Sequence, residues 1–375
     1  MAGLKKIVFL ITDCDFGGAE KMLYELCRGL NKSFPIQVLA LKRKGHFGRM
    51  IEELGIPVKS YNLAPSLGLG YYFGLVSVFL RIRSDLVEMN PDIIQGILFQ
   101  GNFFAKLAGR LAGIKNILCS LHTFDRGSAK VILEKLTNRM AQRYIVVSDA
   151  LKVFCAEKFS IPLAKISVVR NGIQLEQFAP LGKELREKLG VKSEGPVIGA
   201  IGRLHREKGI DVLIRAFSRL ASEMPGLSLL IIGDGPEKNS LEEMAKNSGI
   251  MDRIIFTGFL PEAEKYLPLF DLFILPSRIE AMPIALMQAM AAGKAIVATN
   301  VGAVSELVKD NESAMLVPPE DESLMSRAIA KLLRDPELSR KLGAAAKAKA
   351  SSEFSLEKMI ESYKKIYMDA LEGKN

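Results

Sequence analysis

Short runs of apolar residues alternate along the whole chain with longer segments in which apolar residues recur every three or four positions. In the first half, segments such as Ala19–Leu30 and Phe103–Leu111 have this helical period. Runs of about four to eight apolar residues are typical of strands that are buried on both faces. We therefore predict strands at Ile7–Ile11, Ile36–Leu41, Ile93–Gly96, Ile117–Ser120 and Tyr144–Val147.

The second half repeats the same rhythm. Helical patterns follow at about residues 209–222, 236–247, 283–292 and 321–334. Strands are predicted at Val197–Ile201, Leu227–Ile232, Ile254–Phe256, Leu272–Leu275 and Ala295–Ala298. Alternating strands and helices build parallel sheets with helices on both faces. Two such series predict an α/β fold with two Rossmann-like, doubly wound parallel-sheet domains.

The segment Asn171–Gly195 separates the two series and is rich in glycine, proline and charged residues. We expect an N-terminal domain over residues 1–170 and a second domain over residues 171–355. A last apolar-periodic stretch, Phe354–Leu371, follows a helix rich in alanine and lysine. We expect residues 356–375 to form a C-terminal helix that packs back on the first domain.

Length and composition fit this architecture. A chain of 375 residues with 49% hydrophobic residues can bury two cores, and 25% charged residues is ordinary for globular proteins, which excludes disorder. No apolar run of about 18 residues predicts a membrane span, and the start, Met1–Ile11, has no signal-peptide pattern. The four cysteines show no Cys-x-x-Cys, so we expect free thiols in a cytoplasmic protein: Cys14, Cys27, Cys119 and Cys155.

The charge is unevenly divided along the chain. Residues 1–170 hold 24 Lys and Arg against 13 Asp and Glu, a net charge of +11, whereas residues 171–375 hold 27 against 29. A basic half is typical of proteins with an anionic partner, such as membrane headgroups, an anionic lipid or a nucleic acid. It is equally compatible with a generic basic surface.

The segment Ser66–Arg83 is rich in leucine, valine and aromatic residues and ends with Arg81 and Arg83. One interpretation is an acceptor-binding or membrane-contact helix flanked by basic residues. The other is a buried crossover helix. Periodicity does not separate a core face from a lipid-facing one, and we favour the buried helix.

Glycine-containing polar loops follow the strands of the second domain. The first loop contains Gly202, Arg203 and Lys208, and its planar guanidinium and mobile ammonium both suit a phosphate. Gly233–Pro236 and Thr257–Pro261 follow the next two strands. Because the carboxyl ends of parallel strands share one edge, these loops are expected to converge where doubly wound sheets bind ligands. Taken alone, the first loop is compatible with a solvated charged loop.

A further strand-to-helix segment, Arg278–Gly293, carries the most informative residues. Glu280 follows a strand, Pro283 is expected in the first helical turn, and Gln288 comes eight positions after Glu280. A helix N-terminus has unpaired N–H groups and a partial positive charge, so it favours a phosphate. Gln288 would lie about one and a half turns further in, within reach of the next part of a bound molecule.

The first domain offers weaker candidates. Gly17 and Gly18 follow the first strand and open the first helix, where backbone can approach an anion closely, although such a pair also fits a tight turn. His122 follows another strand, close to Asp125. A lone histidine is more often a surface or core residue, so only this position favours a functional role.

Asp13 and Asp15 have the spacing of an Asp-x-Asp metal motif. Two acidic residues at the end of a strand are commonly polar groups of a loop, and no other ligand cluster accompanies them. We therefore predict no metal site.

Together these segments resemble the retaining glycosyltransferases of family 4, which have the GT-B fold. The family pattern has a Glu, seven residues and a second Glu, followed by Ala-Met-Ala-x-Gly; this chain has Glu280, Gln288 and then Ala289–Gly293. The resemblance spans nearly the whole chain and is strongest over about residues 196–310. The other matching segments are Val169–Ile173, with Gln174 in place of the family's Asp, Gly233–Pro236 and Thr257–Pro261.

The resemblance implies a nucleotide-diphosphate sugar as donor, bound mainly to the second domain in the cleft between the domains. In that view Arg203 and Lys208 neutralise the diphosphate, and Glu280 hydrogen-bonds the donor sugar. His122 contacts the sugar or the acceptor and completes the catalytic set. The implied donor-binding residues are Gly17, Gly18, Gly202, Gly233, Phe259, Leu260, Met282, Pro283, Ile284, Ala285 and, at the ribose diol, Gln288.

The implied chemistry uses no metal and no cofactor besides the donor. Fixed positive groups stabilise the charge that builds on the leaving diphosphate. The acceptor attacks the face from which the leaving group departs, and the leaving phosphate takes the acceptor proton, so anomeric configuration is retained without an enzyme nucleophile.

We expect the acceptor to be a hydroxyl of a lipid-linked or surface-polysaccharide intermediate. The implied location is cytoplasmic and peripheral on the inner face of the cell membrane. The basic half would contact an anionic membrane surface, and no nucleic acid is expected as a partner.

Gln288 marks where the chain departs from the family pattern. A carboxylate can accept from both ribose hydroxyls, whereas an amide offers one acceptor and two donors. Two other interpretations therefore stay open, a nucleotide-sugar epimerase and a non-catalytic nucleotide-sugar-binding protein of the same fold.

Overall fold

A computed structural model describes residues 4–63, 69–175, 186–187, 189–191 and 194–374 of the chain. The chain divides into two compact units, one formed by Met1–Gly172 with Leu356–Asn375 and the other by Ile173–Ser355. Each unit is built around its own parallel sheet. The two sheets confirm the predicted α/β class with two doubly wound domains.

The first unit contains a seven-stranded parallel sheet in the order β3-β2-β1-β4-β5-β6-β7. Ile11 of β1 lies level with Ala40 of β2 and Ile97 of β4, so the carboxyl ends of the central strands form one edge. The strands are β1 (Ile7–Ile11), β2 (Ile36–Ala40), β3 (Val58–Ser60), β4 (Ile93–Ile97), β5 (Asn116–Leu121), β6 (Arg143–Val146) and β7 (Ile166–Val168).

Helices of the first unit bury one face against this sheet. One core cluster joins Val8 and Leu10 of β1 to Ile82 and Leu86 of a long crossover helix. The helices are α1 (Gly18–Leu30), α2 (Gly45–Glu53), α3 (Leu69–Met89), α4 (Leu98–Leu111), α5 (Ser128–Thr137) and α6 (Asp149–Phe159).

The second unit contains a six-stranded parallel sheet in the order β10-β9-β8-β11-β12-β13. Ile201 of β8 lies level with Ile232 of β9, so the loops that follow these strands start at one edge. The strands are β8 (Val197–Ile201), β9 (Ser228–Ile232), β10 (Ile254–Phe256), β11 (Leu272–Leu275), β12 (Ala295–Thr299) and β13 (Met315–Val317).

The helices of this unit pack their apolar stripes on the sheet. In the first of them, every residue from Val212 to Ile214 is fully buried, together with Phe217. The helices are α7 (Ile210–Glu223), α8 (Lys238–Asn247), α9 (Ile284–Ala291), α10 (Val304–Leu307), α11 (Glu322–Arg334) and α12 (Pro336–Glu353).

The last helix, α13 (Leu356–Leu371), belongs to the first unit and packs against α1. Its buried Tyr367 hydroxyl donates a 2.5 Å hydrogen bond to Gln95 Oε1 of β4. Gln95 Nε2 in turn donates to Ser120 Oγ of β5 at 2.6 Å. A buried polar chain therefore fixes α13 to the centre of the first sheet, because buried polar groups are stable when they are hydrogen-bonded to each other.

The pattern of apolar residues missed three strands and the start of one helix. The missed strands, β3, β7 and β13, are three residues long and lie at sheet edges, where little apolar sequence is needed. Helix α4 begins five residues before the predicted Phe103, through the polar stretch Gln100–Asn102. A Cβ on Gly101 would meet the Leu10 carbonyl oxygen at 2.3 Å, so this turn needs glycine to reach β1.

Helix α3, which covers most of the predicted segment Ser66–Arg83, has both a buried face and exposed apolar residues. Residues 66–68 lie outside the described residues, and side chains are described from Phe73 onward. One face is buried at Val78 and Ile82, as expected of a crossover helix. Phe73 and Leu80 remain exposed at 73% and 57%. Within the described ranges, the structure contains no helix that is long and apolar enough to cross a membrane.

Candidate functional site

Three loops of the second unit are tied together at the carboxyl edge of its sheet. The Leu204 N–H donates to the Asp234 carbonyl at 2.9 Å, and the Gly233 N–H donates to the Gly258 carbonyl at 2.9 Å. Gly233 has φ +148, and a Cβ on it would meet the Gly202 carbonyl oxygen at 1.9 Å. The loops after β8, β9 and β10 therefore form one surface, and Gly233 allows their backbones to touch.

Lys208 and Glu280 form an ion pair at this edge, although 72 positions separate them. The Lys208 Nζ donates to Glu280 Oε1 at 2.6 Å, and Ser277 Oγ donates to the same oxygen at 2.7 Å. The Glu280 side chain is 7% exposed and the Lys208 side chain 33%. A buried carboxylate needs such partners, because an unpaired charge away from water costs several kcal/mol.

Backbone geometry explains why Lys208 lies beside the loop after β11. Gly209, which caps α7, has φ +63, and a Cβ on it would meet the Pro276 carbonyl oxygen at 2.0 Å. Only glycine combines this left-handed conformation with such a close approach. The turn Arg206–Lys208 is thereby pressed against the segment that leads to Glu280.

Arg203 lies in the same loop, next to the fully buried Leu204. Its side chain is exposed, and no ion pair of its guanidinium occurs among the residues that the structure describes. Leu204 anchors the backbone while Arg203 points its charge outward. This leaves five N–H donors for an anionic ligand.

Helix α9 presents an uncapped N-terminus close to Glu280 in the sequence. Pro283 occupies the N-cap with φ −71 and no capping side chain, and the first turn contains no acidic residue. The helix therefore begins one residue later than predicted, at Ile284 rather than at Pro283. Its free N–H groups suit an anion.

The remaining donor-side candidates surround this helix start. Met282 and Pro283 are buried, whereas Ile284, Ala285 and Gln288 are half-buried. Ile284 and Gln288 lie four positions apart, on one face of the helix. After β10, the edge strand three positions from β11 in the sheet, Phe259 is 45% exposed and Leu260 is half-buried.

The glycine pair of the first unit differs from the expectation in one respect. Gly17 and Gly18 are exposed at the N-terminus of α1. A Cβ on Gly17 would meet Glu20 Oε2 at 2.1 Å, so the chain's own carboxylate lies over this helix start. An anion that bound here would compete with Glu20.

The Asp13 and Asp15 carboxylates face Arg43. Asp15 Oδ2 lies 3.1 Å from Arg43 Nη2, and Asp13 Oδ2 lies 3.9 Å from Arg43 Nε. Across the described part of the chain, no group of three or more His, Cys, Asp or Glu residues could hold a metal ion.

His122 directly follows β5 and is half-buried. Burial lowers the pKa of its imidazole to about 4, so the ring is neutral at neutral pH. A neutral imidazole offers one donor and one acceptor rather than a charge. The nearby Asp125 carboxylate accepts a hydrogen bond from Lys130 Nζ at 2.7 Å.

The sequence pattern did not indicate a role for two residues that form contacts at this edge. Ser277 fixes Glu280, and Arg278 binds Asp211 of α7 through two hydrogen bonds of 2.7 and 2.8 Å. Burial by itself raises the pKa of Asp211, but the hydrogen bonds and charges of Arg278 and Arg215 together outweigh it and hold that pKa below its usual value. A serine and an arginine at a strand end carry no periodic signal, and only their place next to Glu280 could have indicated them.

Two family models match the chain in succession. The model described as "Glycosyltransferase Family 4" matches residues 16–177, and the model described as "Glycosyl transferases group 1" matches residues 182–349. The second match includes the whole edge that carries Arg203, Lys208, Glu280 and Gln288.

Curated relatives and solved structures agree with these matches. N-acetyl-alpha-D-glucosaminyl L-malate synthase of Bacillus anthracis is 29% identical over 188 residues, 50% of this chain and about half of that relative (49%). UDP-Gal:alpha-D-GlcNAc-diphosphoundecaprenol alpha-1,3-galactosyltransferase of Escherichia coli is 27% identical over 314 residues, 80% of each chain. HepE of Anabaena, solved in complex with UDP-glucose, has a TM-score of 0.87 at 22% identity, covering 97% of this chain and 99% of HepE.

Proposed function

The chain belongs to the glycosyltransferases that these two family models describe, and on that premise we propose that it is a retaining enzyme with a nucleotide-diphosphate sugar as donor. The acceptor in this proposal is a hydroxyl of a lipid-linked or surface-polysaccharide intermediate. The E. coli relative supports both the proposed donor and the proposed acceptor, since its name contains UDP-Gal and a diphosphoundecaprenol.

The Lys208–Glu280 pair is the observation that carries the proposal. It places a mobile cation and a buried carboxylate in contact, at 2.6 Å, on the edge where doubly wound sheets bind ligands. A nucleotide-diphosphate sugar needs a cation for its diphosphate and an acceptor for its sugar hydroxyls. Both groups are therefore present side by side, and both can change partner when a donor binds.

The proposed reaction breaks the bond between the anomeric carbon and the β-phosphate oxygen. The electron pair stays with the departing nucleoside diphosphate, whose charge Arg203, Lys208 and the N–H groups of α9 stabilise. The acceptor oxygen bonds the anomeric carbon on the same face. Its proton passes to the leaving phosphate, so configuration is retained with no metal and no enzyme nucleophile.

The other roles follow from position. Gln288 would hold the ribose, one turn beyond Ile284, and the exposed Phe259 with Leu260 would contact the base. Gly202 and Gly233 would let backbone approach the phosphates. On the edge of the first unit, Gly17, Gly18 and His122 are proposed to act on the same substrates, with His122 as a neutral hydrogen-bonding group.

A thermal-shift panel of UDP, GDP, ADP and their sugars tests donor binding, because a ligand of the folded state raises the melting temperature by mass action. Transfer to a lipid extract with NMR analysis of the anomeric product then tests retention.

Arg203→Ala should reduce turnover at least about 100-fold if its charge stabilises the leaving group. Arg206→Ala, an exposed arginine of the same loop, is the matched control.

Three other outcomes of these assays would each indicate a different function. Donor converted to another nucleotide sugar without transfer would indicate an epimerase. Binding without turnover of any acceptor would indicate a nucleotide-sugar-binding protein. An inverted product would refute retention while leaving the transferase intact.

We also propose that the protein works at an anionic membrane surface, through the outer face of α3. Phe73, Val76, Leu80 and Val87 are all more than half exposed. At about 100° per residue they form one stripe, and the exposed Arg81 and Arg83 flank it on either side. An apolar stripe between cations suits the interface of an anionic bilayer.

Sedimentation with vesicles of anionic lipid tests this face. The protein should pellet with the vesicles at low salt, and Phe73→Ser with Leu80→Ser should release it. Val153→Ser, at an exposed valine of α6, should not. Recovery of the unmodified protein in the supernatant at low salt would end the membrane proposal.

A further inference from the structure

Arg278 uses every N–H of its guanidinium. Nη1 donates to Asp211 Oδ1 at 2.7 Å and to the Arg206 carbonyl at 2.6 Å. Nη2 donates to Asp211 Oδ2 at 2.8 Å and to Glu320 Oε2 at 3.0 Å, and Nε donates to Glu320 Oε1. Guanidinium has five donors in a fixed plane, so no donor is left for a substrate.

The bonds to the Arg206 carbonyl and to Asp211 join the Glu280 loop to the Lys208 turn and to the start of α7, which follows that turn. The Arg278 backbone N–H also donates to the Glu207 carbonyl at 2.8 Å. Lys208 is the next residue after Glu207, and Glu280 lies two positions after Arg278. The Lys208–Glu280 contact therefore lies directly beside a set of bonds that fixes the distance between its two loops.

We propose that Arg278 is a positioning residue, which holds the Lys208 loop against the Glu280 loop while Lys208 exchanges Glu280 for the donor diphosphate. This inference rests on the proposed function. Without the Arg278 side chain, the described hydrogen bonds that still join the turn Arg206–Lys208 to the second loop are the main-chain bond to the Glu207 carbonyl and the Lys208–Glu280 pair, which breaks when the donor binds. Lys208 would then lose its fixed starting point, and a displacement of about 1 Å near a reacting group can cost on the order of 100-fold in rate.

The geometry also predicts that lysine cannot replace Arg278. Lysine offers one ammonium with three donors and no planar fork, so it cannot bond Asp211 and Glu320 in pairs while reaching the Arg206 carbonyl. Arg278→Lys should therefore behave like Arg278→Met. Glu320→Gln removes the charge of one partner of Arg278, whose side chain is 54% exposed, and leaves Asp211 in place. Its effect should therefore be smaller.

Hydrogen exchange and kinetics, measured on the full chain, test the inference together. In Arg278→Met, amides of residues 203–209 and 276–282 should both exchange faster than in the unmodified protein. The kcat should fall roughly 10- to 100-fold with a smaller change in donor KM, because the reacting groups are displaced rather than the base or ribose contacts. Arg334→Met, which breaks the exposed Arg334–Glu223 pair, is the matched control.

The two measurements separate the inference from the function on which it rests. Unchanged exchange in both segments would overturn the positioning role, whatever the kinetics show. Full rescue of kcat by Arg278→Lys would also overturn it, since a single charge would then suffice. If the unmodified protein bound no nucleotide sugar, the proposed function would fail, while the exchange data would still decide whether Arg278 holds the loops.

Discussion

Replacing Lys208 by methionine should destabilise the second unit more than replacing Glu280 by glutamine, although Glu280 is the more buried of the two. Methionine leaves the Glu280 carboxylate, 7% exposed, with Ser277 as its described hydrogen-bond donor. Glutamine removes the charge but keeps an oxygen for Ser277. Lys208 is 33% exposed and can turn its ammonium to water.

The magnitude follows from burial. Removing one partner of a fully buried ion pair costs about 3–5 kcal/mol. Because Lys208 is one-third exposed, solvent screening reduces this to about 2 kcal/mol for Lys208→Met. For Glu280→Gln we expect about 0.5–1 kcal/mol, since one hydrogen bond to a charged group is weakened. In a domain of this size, 1 kcal/mol corresponds to about 2–4 °C in melting temperature.

Calorimetry of four proteins tests this order: the unmodified chain, both single variants and the double variant. Lys208→Met should lower the melting temperature of the second unit by about 4–8 °C. The double variant should recover part of that loss, because the orphaned carboxylate is gone. All three variants should lose transfer activity, so stability and activity should separate in the double variant.

Lys246→Met, at an exposed lysine of α8, provides the control for loss of a surface charge. The reasoning fails if Lys208→Met melts within about 1 °C of the unmodified protein, or if the effects of the two single variants simply add. Either result would mean that the two side chains do not form an ion pair in solution.

Two further predictions concern His122 and Gln288. The folded-state pKa of His122, about 4, lies below the ordinary 6.5, so the unfolded chain binds more protons between these values and stability falls as the pH drops through that window. His122→Gln should reduce the loss of unfolding free energy between pH 7 and pH 4.5 by about 1–3 kcal/mol, as determined from urea unfolding at the two pH values. If both proteins lost the same unfolding free energy between these pH values, the burial of a neutral imidazole would be contradicted. Gln288→Glu should keep or improve donor affinity, by up to about 3 kcal/mol in calorimetry, because a carboxylate can accept from both ribose hydroxyls. A large loss of affinity would mean that Gln288 does not hold the diol.

The buried strands were predictable because they read as continuous apolar runs. Val197–Ile201 and Leu272–Leu275 were placed without error, since both faces of a central parallel strand are covered by helices. Edge strands such as Met315–Val317 lack this signal. The exposed apolar stripe of α3 could not be predicted either, because the sequence pattern does not distinguish an apolar residue that faces the core from one that faces solvent.

The site was predictable as a set of loops but not as a set of contacts. Strand order brings Lys208 and Glu280 to one edge, and that much follows from alternating strands and helices. Their ion pair depends on Gly209 and its left-handed backbone, and on the bonds that Arg278 makes. Such bonds are set by side-chain direction, which periodicity does not encode.

The Lys208–Glu280 pair has a consequence for the order of events in the proposed reaction. A diphosphate attracts Lys208 away from Glu280, and the carboxylate then keeps the hydroxyl of Ser277 as its described partner. A complete donor offsets this loss, because its sugar hydroxyls can donate to Glu280. The nucleoside diphosphate product brings no such hydroxyls and leaves a buried carboxylate underpartnered, which costs free energy. In the proposed reaction, the pair that accepts the whole donor would therefore weaken the binding of the nucleoside diphosphate product once the sugar has been transferred.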